Sequence, residues 1–94
     1  MKEQMGYEEI KKIIRDILMQ KNYGVKMPGD FSVDESLFLR GVIDSFGIFP
    51  FINELQAQFN IKIENKEIHP GNLETIENVT TFIYNKKANR ADER

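Results

Sequence analysis

The chain has 94 residues, of which 40% are hydrophobic and 30% charged, so we expect one small soluble globular domain and not a disordered segment. It contains no cysteine, which excludes disulfide bonds and is typical of proteins in a reducing cytoplasm. The net charge of −2 argues neither for binding to nucleic acid nor strongly for a basic partner. The sequence also shows neither a secretory signal nor an apolar run of the roughly 20 residues needed to span a membrane.

A first amphipathic helix is predicted from Tyr7 onward, because apolar residues recur at spacings of three and four with charged residues between them. We expect this helix to end between Asn22 and Gly24, since glycine readily adopts the left-handed conformation that terminates helices. The apolar positions that follow Tyr7 in this helix are Ile10, Ile13, Ile14, Ile17 and Leu18.

A long loop is predicted after this helix, because a Pro-Gly turn interrupts the helical pattern and no convincing strand replaces it. Within the loop, Asp34 or Ser36 is expected to cap a short turn. This turn would place Leu37, together with either Phe38 or Leu39, in the hydrophobic core. Ordered loops of this length in small domains are often functional, so the loop is a candidate region for a site.

A second amphipathic helix is predicted to begin at Ser45, directly after Asp44. Serine is a favoured N-cap because its hydroxyl accepts a hydrogen bond from a free backbone N–H, and Asp44 adds negative charge at the positive end of the helix dipole. Pro50 is expected to kink or loosen the first turn, because proline lacks a backbone N–H. The apolar stripe of this helix consists of Phe46, Phe49, Ile52, Leu55 and Phe59, and Phe51 extends it.

The rest of the chain is predicted to form a short helical turn within residues 65–72, broken by Pro70-Gly71, and then a last helix opened by Thr75. The apolar stripe of the last helix consists of Ile76, Val79, Phe82 and Ile83. Residues 86–94 are polar and are predicted to form a disordered tail, which leaves a domain at residues 1–85. The predicted fold is all-α, a small bundle of three main helices and one short helix.

Residues suited to catalysis are few. His69 is the only histidine and lies beside a Pro-Gly turn, so it is interpreted as a surface residue. With one histidine and no cysteine a zinc site is not expected, and neither a pair of tuned carboxylates nor a glycine-rich phosphate loop is recognisable. The stretch between Ser45 and Ile61 contains no Lys or Arg, which argues against a DNA-reading helix. On spacing alone, Ser45 is interpreted as a helix cap.

Four segments nevertheless form a larger pattern, consisting of Asp34-Glu35-Ser36-Leu37-Phe38, Gly41-Val42-Ile43-Asp44-Ser45-Phe46, Leu55 with Phe59-Asn60-Ile61, and Thr75-Ile76-Glu77-Asn78-Val79. In this order and spacing they resemble the acyl carrier protein family, which includes peptidyl and D-alanyl carriers. The resemblance spans Tyr7 to Tyr84. It implies the four-helix bundle of the acyl carrier type.

The resemblance implies that a phosphopantetheinyl transferase joins a 4′-phosphopantetheine arm from coenzyme A to Ser45, with Mg²⁺, through a phosphodiester. The arm would carry acyl or aminoacyl cargo as a thioester, so the chain would be a carrier and not an enzyme. Asp44 would assist the transferase, Gly41 would allow a tight approach of the loop, and Phe46 would anchor the turn. Other partners would be an acyl- or aminoacyl-loading ligase and a downstream synthase or transferase, and the chain would act as a monomer.

Partner enzymes would contact the outer side of the second helix, at Ile48, Phe49, Pro50, Asn53, Glu54 and Ala57. Fatty-acid carriers resemble one another in having an acidic second helix, whereas Glu54 is the only acid between Ser45 and Ile61 here. This departure favours a specialised biosynthetic pathway. It also favours an apolar recognition face, built from Ile48, Phe49 and Phe51, over electrostatic steering.

The residues leave two alternatives to the carrier hypothesis open. The first is an unmodified helical adaptor, which would bind a partner through the second helix and use Ser45 only as a cap. The second is a small hydrolase with Ser45 as the nucleophile, for which His69 is the only histidine that could act as a base.

Overall fold

The computed structural model describes the backbone of residues 5–92 and the side chains of residues 5–88. Within this part of the chain there are four α-helices and no β-strand. The helices are α1 (Tyr7–Gln20), α2 (Ile48–Phe59), α3 (Pro70–Leu73) and α4 (Ile76–Asp92), with a short 3-10 helix at Asn65–Glu67. The prediction of an all-helical fold with a long connection between the first two main helices is confirmed.

One hydrophobic core joins the helices to the long loop. α1 packs against α4, and α3 packs against α4. The apolar stripes predicted for the first and last helices point into this core, with Ile13 and Phe82 partly buried at its edge. Its fully enclosed side chains include Ile10, Ile14, Phe31, Leu37, Phe51, Leu55, Phe59, Leu73, Ile76, Val79 and Ile83.

The end of α1 and the start of α3 differ from the predicted boundaries. α1 ends at Gln20 because Lys21 already has an extended backbone, so no glycine is needed to terminate the helix. Pro70 begins α3 and does not break a helix, since the first position of a helix needs no N–H donor. The predicted role of Thr75 is confirmed, because its hydroxyl oxygen accepts a 2.9 Å hydrogen bond from the Asn78 N–H in the first turn of α4.

α4 continues into the segment that was predicted to be a disordered tail, and the backbone of residues 86–92 is helical. The first two side chains of this segment are tied to the rest of the molecule. Lys86 pairs with Glu67 at 2.9 Å, and the Lys87 ammonium donates a 2.9 Å hydrogen bond to the Phe59 carbonyl. Residues 93 and 94 lie outside the described residues, and the division of the chain at residue 85 stays a prediction.

The long loop is fixed to α1 and to the segment before α4. The Arg15 guanidinium donates a 2.8 Å hydrogen bond to the Phe31 carbonyl, and the Leu37 N–H donates a 2.8 Å bond to the Glu74 carbonyl. The predicted turn forms, with the Ser36 hydroxyl oxygen accepting a 3.0 Å bond from the Leu39 N–H. Leu37 is buried in the core, whereas Leu39 is exposed.

A polar cluster between α1 and α4 makes part of the stability dependent on pH. The Tyr7 hydroxyl donates to the Glu77 carboxylate, and the Lys11 ammonium lies 3.1 Å from it. These two donors lower the pKa of Glu77 from its ordinary value of 4.5. A carboxyl with a lowered folded-state pKa stabilises the fold above its unfolded pKa, and this stabilisation is lost as the pH falls through the folded value.

Replacing Glu77 with glutamine is therefore expected to lower the free energy of unfolding more at about pH 7 than at about pH 3, because protonation of the wild-type carboxyl weakens its contribution as the pH falls. Urea denaturation at the two pH values measures the difference, with Glu9→Gln as the control because Glu9 is an exposed acid on α1, the helix that carries Tyr7 and Lys11. An equal loss of stability at both pH values would show that ionisation of Glu77 does not support the fold.

Candidate functional site

The loop before α2 is held against the segment that follows α1 by main-chain hydrogen bonds. The Val25 N–H donates a 2.7 Å bond to the Gly41 carbonyl, and the Asp44 N–H donates a 2.9 Å bond to the Tyr23 carbonyl. Tyr23 and Ile43 form an isolated parallel bridge between these bonds. The two segments, residues 23–25 and 41–44, therefore form a fixed base immediately before Ser45.

Glycines allow the two backbones to touch. A Cβ atom on Gly47 would lie 1.7 Å from the Tyr23 carbonyl oxygen, and one on Gly24 would lie 2.1 Å from the Gly41 carbonyl oxygen. The tight approach expected at Gly41 is thus made by Gly24 and Gly47. Gly41 is needed for a different reason. Its φ is 77°, a conformation that residues with a Cβ atom rarely adopt.

α2 begins at Ile48 and not at Ser45, so the prediction that Ser45 is the N-cap is wrong. The free N–H groups of this turn are bonded by Asp44 instead. One carboxylate oxygen of Asp44 accepts a 3.0 Å hydrogen bond from the Phe46 N–H and a 2.8 Å bond from the Gly47 N–H. Because aspartate stabilises the turn in this way, Ser45 lies at its exposed tip with its hydroxyl outside the capping bonds.

The three serines of the chain differ in the use of their hydroxyl groups. The Ser32 oxygen accepts a 3.2 Å hydrogen bond from the Asp34 N–H. The Ser36 hydroxyl donates to the Glu74 carboxylate and also accepts a backbone bond. Ser45 is exposed on a turn that aspartate stabilises. The hydroxyl of Ser45 is therefore exposed and is not used to stabilise the turn.

The prediction that Phe46 anchors the turn is wrong, and so is the prediction that Phe51 belongs to a recognition face. Phe46 is 88% exposed and does not anchor the turn, whereas Phe51 is fully buried and belongs to the core instead of to a recognition face. Because α2 begins at Ile48, Phe46 lies in the turn before the helix, outside the buried stripe of Phe51, Ile52, Leu55 and Phe59. This start also places Pro50 at the third position of α2, where the backbone N–H has no partner within the helix.

The predicted partner face is exposed at four of its six positions. Phe49 is 60% exposed, and the side chains of Pro50, Asn53 and Ala57 are exposed as well. Ile48 is partly buried. Glu54 is also partly buried, and its carboxylate is engaged within the molecule by Gln58 at 2.9 Å and by Lys21 at 3.0 Å. These two contacts lower the pKa of Glu54.

Tyr23 organises the site and was missed by the sequence analysis. Its carbonyl accepts the Asp44 N–H, its backbone contacts Gly47, and its ring lies edge-on to the Phe51 ring with 5.3 Å between the centroids. Burial raises the pKa of its hydroxyl. Sequence reasoning had no signal for this residue, because all of these contacts link segments more than 20 residues apart.

An apolar groove of about 240 Å³ lies beside the start of α2. One of its walls is Ile48, three residues after Ser45. The His69 ring is on the lining, with one ring nitrogen 3.3 Å from the amide nitrogen of Asn72. No local spacing predicts this groove, because three separate segments form it. The lining residues are Phe38, Ile48, Ile68, His69, Pro70 and Leu73.

The described residues contain no group of three His, Asp or Glu side chains that could hold a metal ion. In the same part of the chain, no helix has the length and apolar character required to cross a bilayer. Comparisons of the chain with models of known protein families and with curated protein sequences found no match.

Proposed function

We propose that this chain is a carrier protein that holds acyl or aminoacyl intermediates as thioesters on a 4′-phosphopantetheine arm attached to Ser45. The observation that carries the proposal is the position of Ser45, whose side chain is exposed at the tip of a fixed turn. The two flanking residues do not compete for its hydroxyl, since Asp44 bonds the backbone N–H groups and Phe46 points outward. Such a serine is a substrate for another enzyme.

The residues around Ser45 fit attachment of the arm. The exposed hydroxyl is accessible to a phosphopantetheinyl transferase, and the exposed Asp44 carboxylate is next to it for contact with a Mg²⁺ ion held by that enzyme. In the transfer, the Ser45 oxygen forms a bond to the β-phosphorus of coenzyme A and loses its proton to a base of the transferase. The bond to the departing 3′,5′-adenosine bisphosphate breaks at the same phosphorus.

The arm supplies the thiol that this cysteine-free chain lacks, and the protein supplies the attachment point and the surface that partners bind. The groove beside Ile48 has a lining that suits the apolar part of a cargo. A loading ligase and a downstream synthase or transferase complete the proposed partners. In this proposal the chain itself is not an enzyme, and it acts as a cytoplasmic monomer in a specialised biosynthetic pathway.

Intact-mass measurement tests this proposal. The purified chain is incubated with coenzyme A, Mg²⁺ and a broad-specificity phosphopantetheinyl transferase. We expect the mass to increase by one phosphopantetheinyl group in the wild type and to stay unchanged in the Ser45→Ala variant. Ser36→Ala is the matched control and should be modified like the wild type, because the Ser36 hydroxyl is used inside the fold. No gain in the wild type, or an equal gain in Ser45→Ala, would contradict the proposal.

A further inference from the structure

Of the described residues that line the groove beside Ile48, His69 alone has a polar side chain. Two neighbours hold its ring in place. The amide nitrogen of Asn72 lies 2.8 Å from the Glu67 carbonyl oxygen and 3.3 Å from Nε2 of His69. Gly71 lies against the ring edge, because a Cβ atom on it would be 3.2 Å from both Cε1 and Nδ1 of His69. The position of the ring therefore depends on an amide donor and on a glycine.

The hydrogen bonds of Asn72 fix the protonation state of this ring. A carbonyl oxygen only accepts, so the Asn72 atom that lies 2.8 Å from the Glu67 carbonyl is the donating amide nitrogen. The same nitrogen is the donor in the 3.3 Å contact with His69, so Nε2 accepts and carries no proton. The ring is then neutral, with its proton on Nδ1. It adds no charge to a groove whose surface is formed almost entirely by carbon atoms.

The groove is small and lies within reach of an arm attached to Ser45. Its wall residue Ile48 is three residues after Ser45, and three residues span at most about 11 Å. Its volume of about 240 Å³ is below the roughly 300–1,000 Å³ of sites that enclose drug-sized ligands. A cargo that fills the groove is therefore a short one.

The groove has no group that could balance a charged cargo. Among the described residues that line it there is neither an acid nor a lysine or arginine. The two acids closest to its lining in sequence have other partners, Glu67 with Lys86 at 2.9 Å and Glu74 with the Ser36 hydroxyl. An aminoacyl group carries an ammonium that would lose its hydration on entering, and burial of an unpaired charge is strongly unfavourable. An apolar acyl chain is stabilised by the same burial.

We infer that His69 is a specificity-determining residue of the proposed carrier. Its neutral ring completes an apolar groove that accepts a short, uncharged acyl group from the arm on Ser45 and excludes an aminoacyl group. The inference rests on the proposed function and narrows its cargo from acyl or aminoacyl to acyl. The exposure of His69 agrees with its interpretation as a surface residue, and its ring has a second role as a wall of the groove.

Methyl NMR with two cargos of the same carbon skeleton tests the inference. A broad-specificity transferase loads the chain, labelled with ¹³C at its isoleucine methyl groups, from 4-methylpentanoyl-coenzyme A or from leucyl-coenzyme A. The two cargos differ only in the ammonium of leucine. The 4-methylpentanoyl group should shift the signals of Ile48 and Ile68, which line the groove, relative to the protein with an unloaded arm. The leucyl group should leave them unchanged, and Ile10 in the core is the internal reference.

Substitutions at the wall test the role of His69 itself. In His69→Ala, the ratio of occupied to empty groove should fall about tenfold, because the lost ring no longer covers about two methylene groups of the cargo. Gly71→Ala pushes the ring from its place and should reduce the shifts in the same direction. Lys66→Ala is the matched control, because Lys66 is exposed three residues before His69 and outside the groove lining. Thermal unfolding confirms that each variant is folded.

Three results would overturn the inference while the carrier function stands. They are equal shifts with the two cargos, no shift with 4-methylpentanoyl in the wild type, and shifts in His69→Ala as large as those in Lys66→Ala. Failure of the wild type to accept any phosphopantetheinyl group would overturn both the inference and the proposed function.

Discussion

Replacing Gly47 with alanine is expected to destabilise the protein by on the order of 3 kcal/mol or more, the range reached when a buried position is overpacked against rigid neighbours. The added Cβ would lie 1.7 Å from the Tyr23 carbonyl oxygen and 2.7 Å from the Tyr23 Cα. Both contacts are with backbone, so no side-chain rotation relieves them. The variant must separate the turn from the segment after α1, and the bond from the Asp44 N–H to Tyr23 is lost with it.

Urea denaturation of Gly47→Ala and Gly29→Ala measures this effect. Gly29 lies in the same long loop, but nothing is within 4 Å of the position that its Cβ would occupy. The Gly29 variant should therefore keep the wild-type stability or gain a few tenths of a kcal/mol from a less flexible unfolded chain. If both variants had the same stability, the close contact between Gly47 and Tyr23 would not be a feature of the folded protein.

Substitutions of Ser45 and Asp44 are expected to have different effects, because Ser45 is the proposed attachment site and Asp44 bonds the backbone of the turn. Ser45→Ala should lose all modification by the transferase and keep its stability within about 0.5 kcal/mol, as for an ordinary surface substitution. Asp44→Ala should lose about 1 kcal/mol, because the Phe46 N–H loses its acceptor and the Gly47 N–H keeps only its main-chain bond to the residue 44 carbonyl.

Thermal or urea unfolding of the two variants shows whether Ser45 or Asp44 stabilises the turn. Asp44→Asn is the control for geometry, since its amide oxygen can accept the same two hydrogen bonds without the charge, and most of the stability should return. A loss of about 1 kcal/mol in Ser45→Ala, with no loss in Asp44→Ala, would restore Ser45 as the cap and would favour an unmodified adaptor.

The parts of the fold that local patterns specify were predictable. The stripe of α1 and the cap at Thr75 depend on residues within two turns of each other, and both are found in the structure. The start of α2 was misplaced because Asp44 and Ser45 are both good N-caps and local sequence does not choose between them. Contacts with Tyr23, which is far away in the sequence, fix the turn and so delay the helix to Ile48.

The apolar run at the start of α2 explains the errors on its aromatic residues. The segment from Ile48 to Ile52 contains two isoleucines, two phenylalanines and one proline, with no polar side chain. An apolar stripe can therefore be drawn through it in more than one register. The predicted stripe contained Phe46, Phe49 and Phe51, whereas the structure buries only Phe51 of these three. The groove beside Ile48 depends on contacts between distant segments, which periodicity does not reveal.

The most direct measurement of the central claim is to locate the attached group. The transferase-treated protein is digested, and tandem mass spectrometry identifies the residue that carries phosphopantetheine. Only three serines can carry it. The Ser32 hydroxyl oxygen accepts a bond from the Asp34 N–H, and the Ser36 hydroxyl donates to the Glu74 carboxylate. The account predicts the group on Ser45 and on no other residue. A group on Ser32 or Ser36, or an unmodified protein, would contradict it.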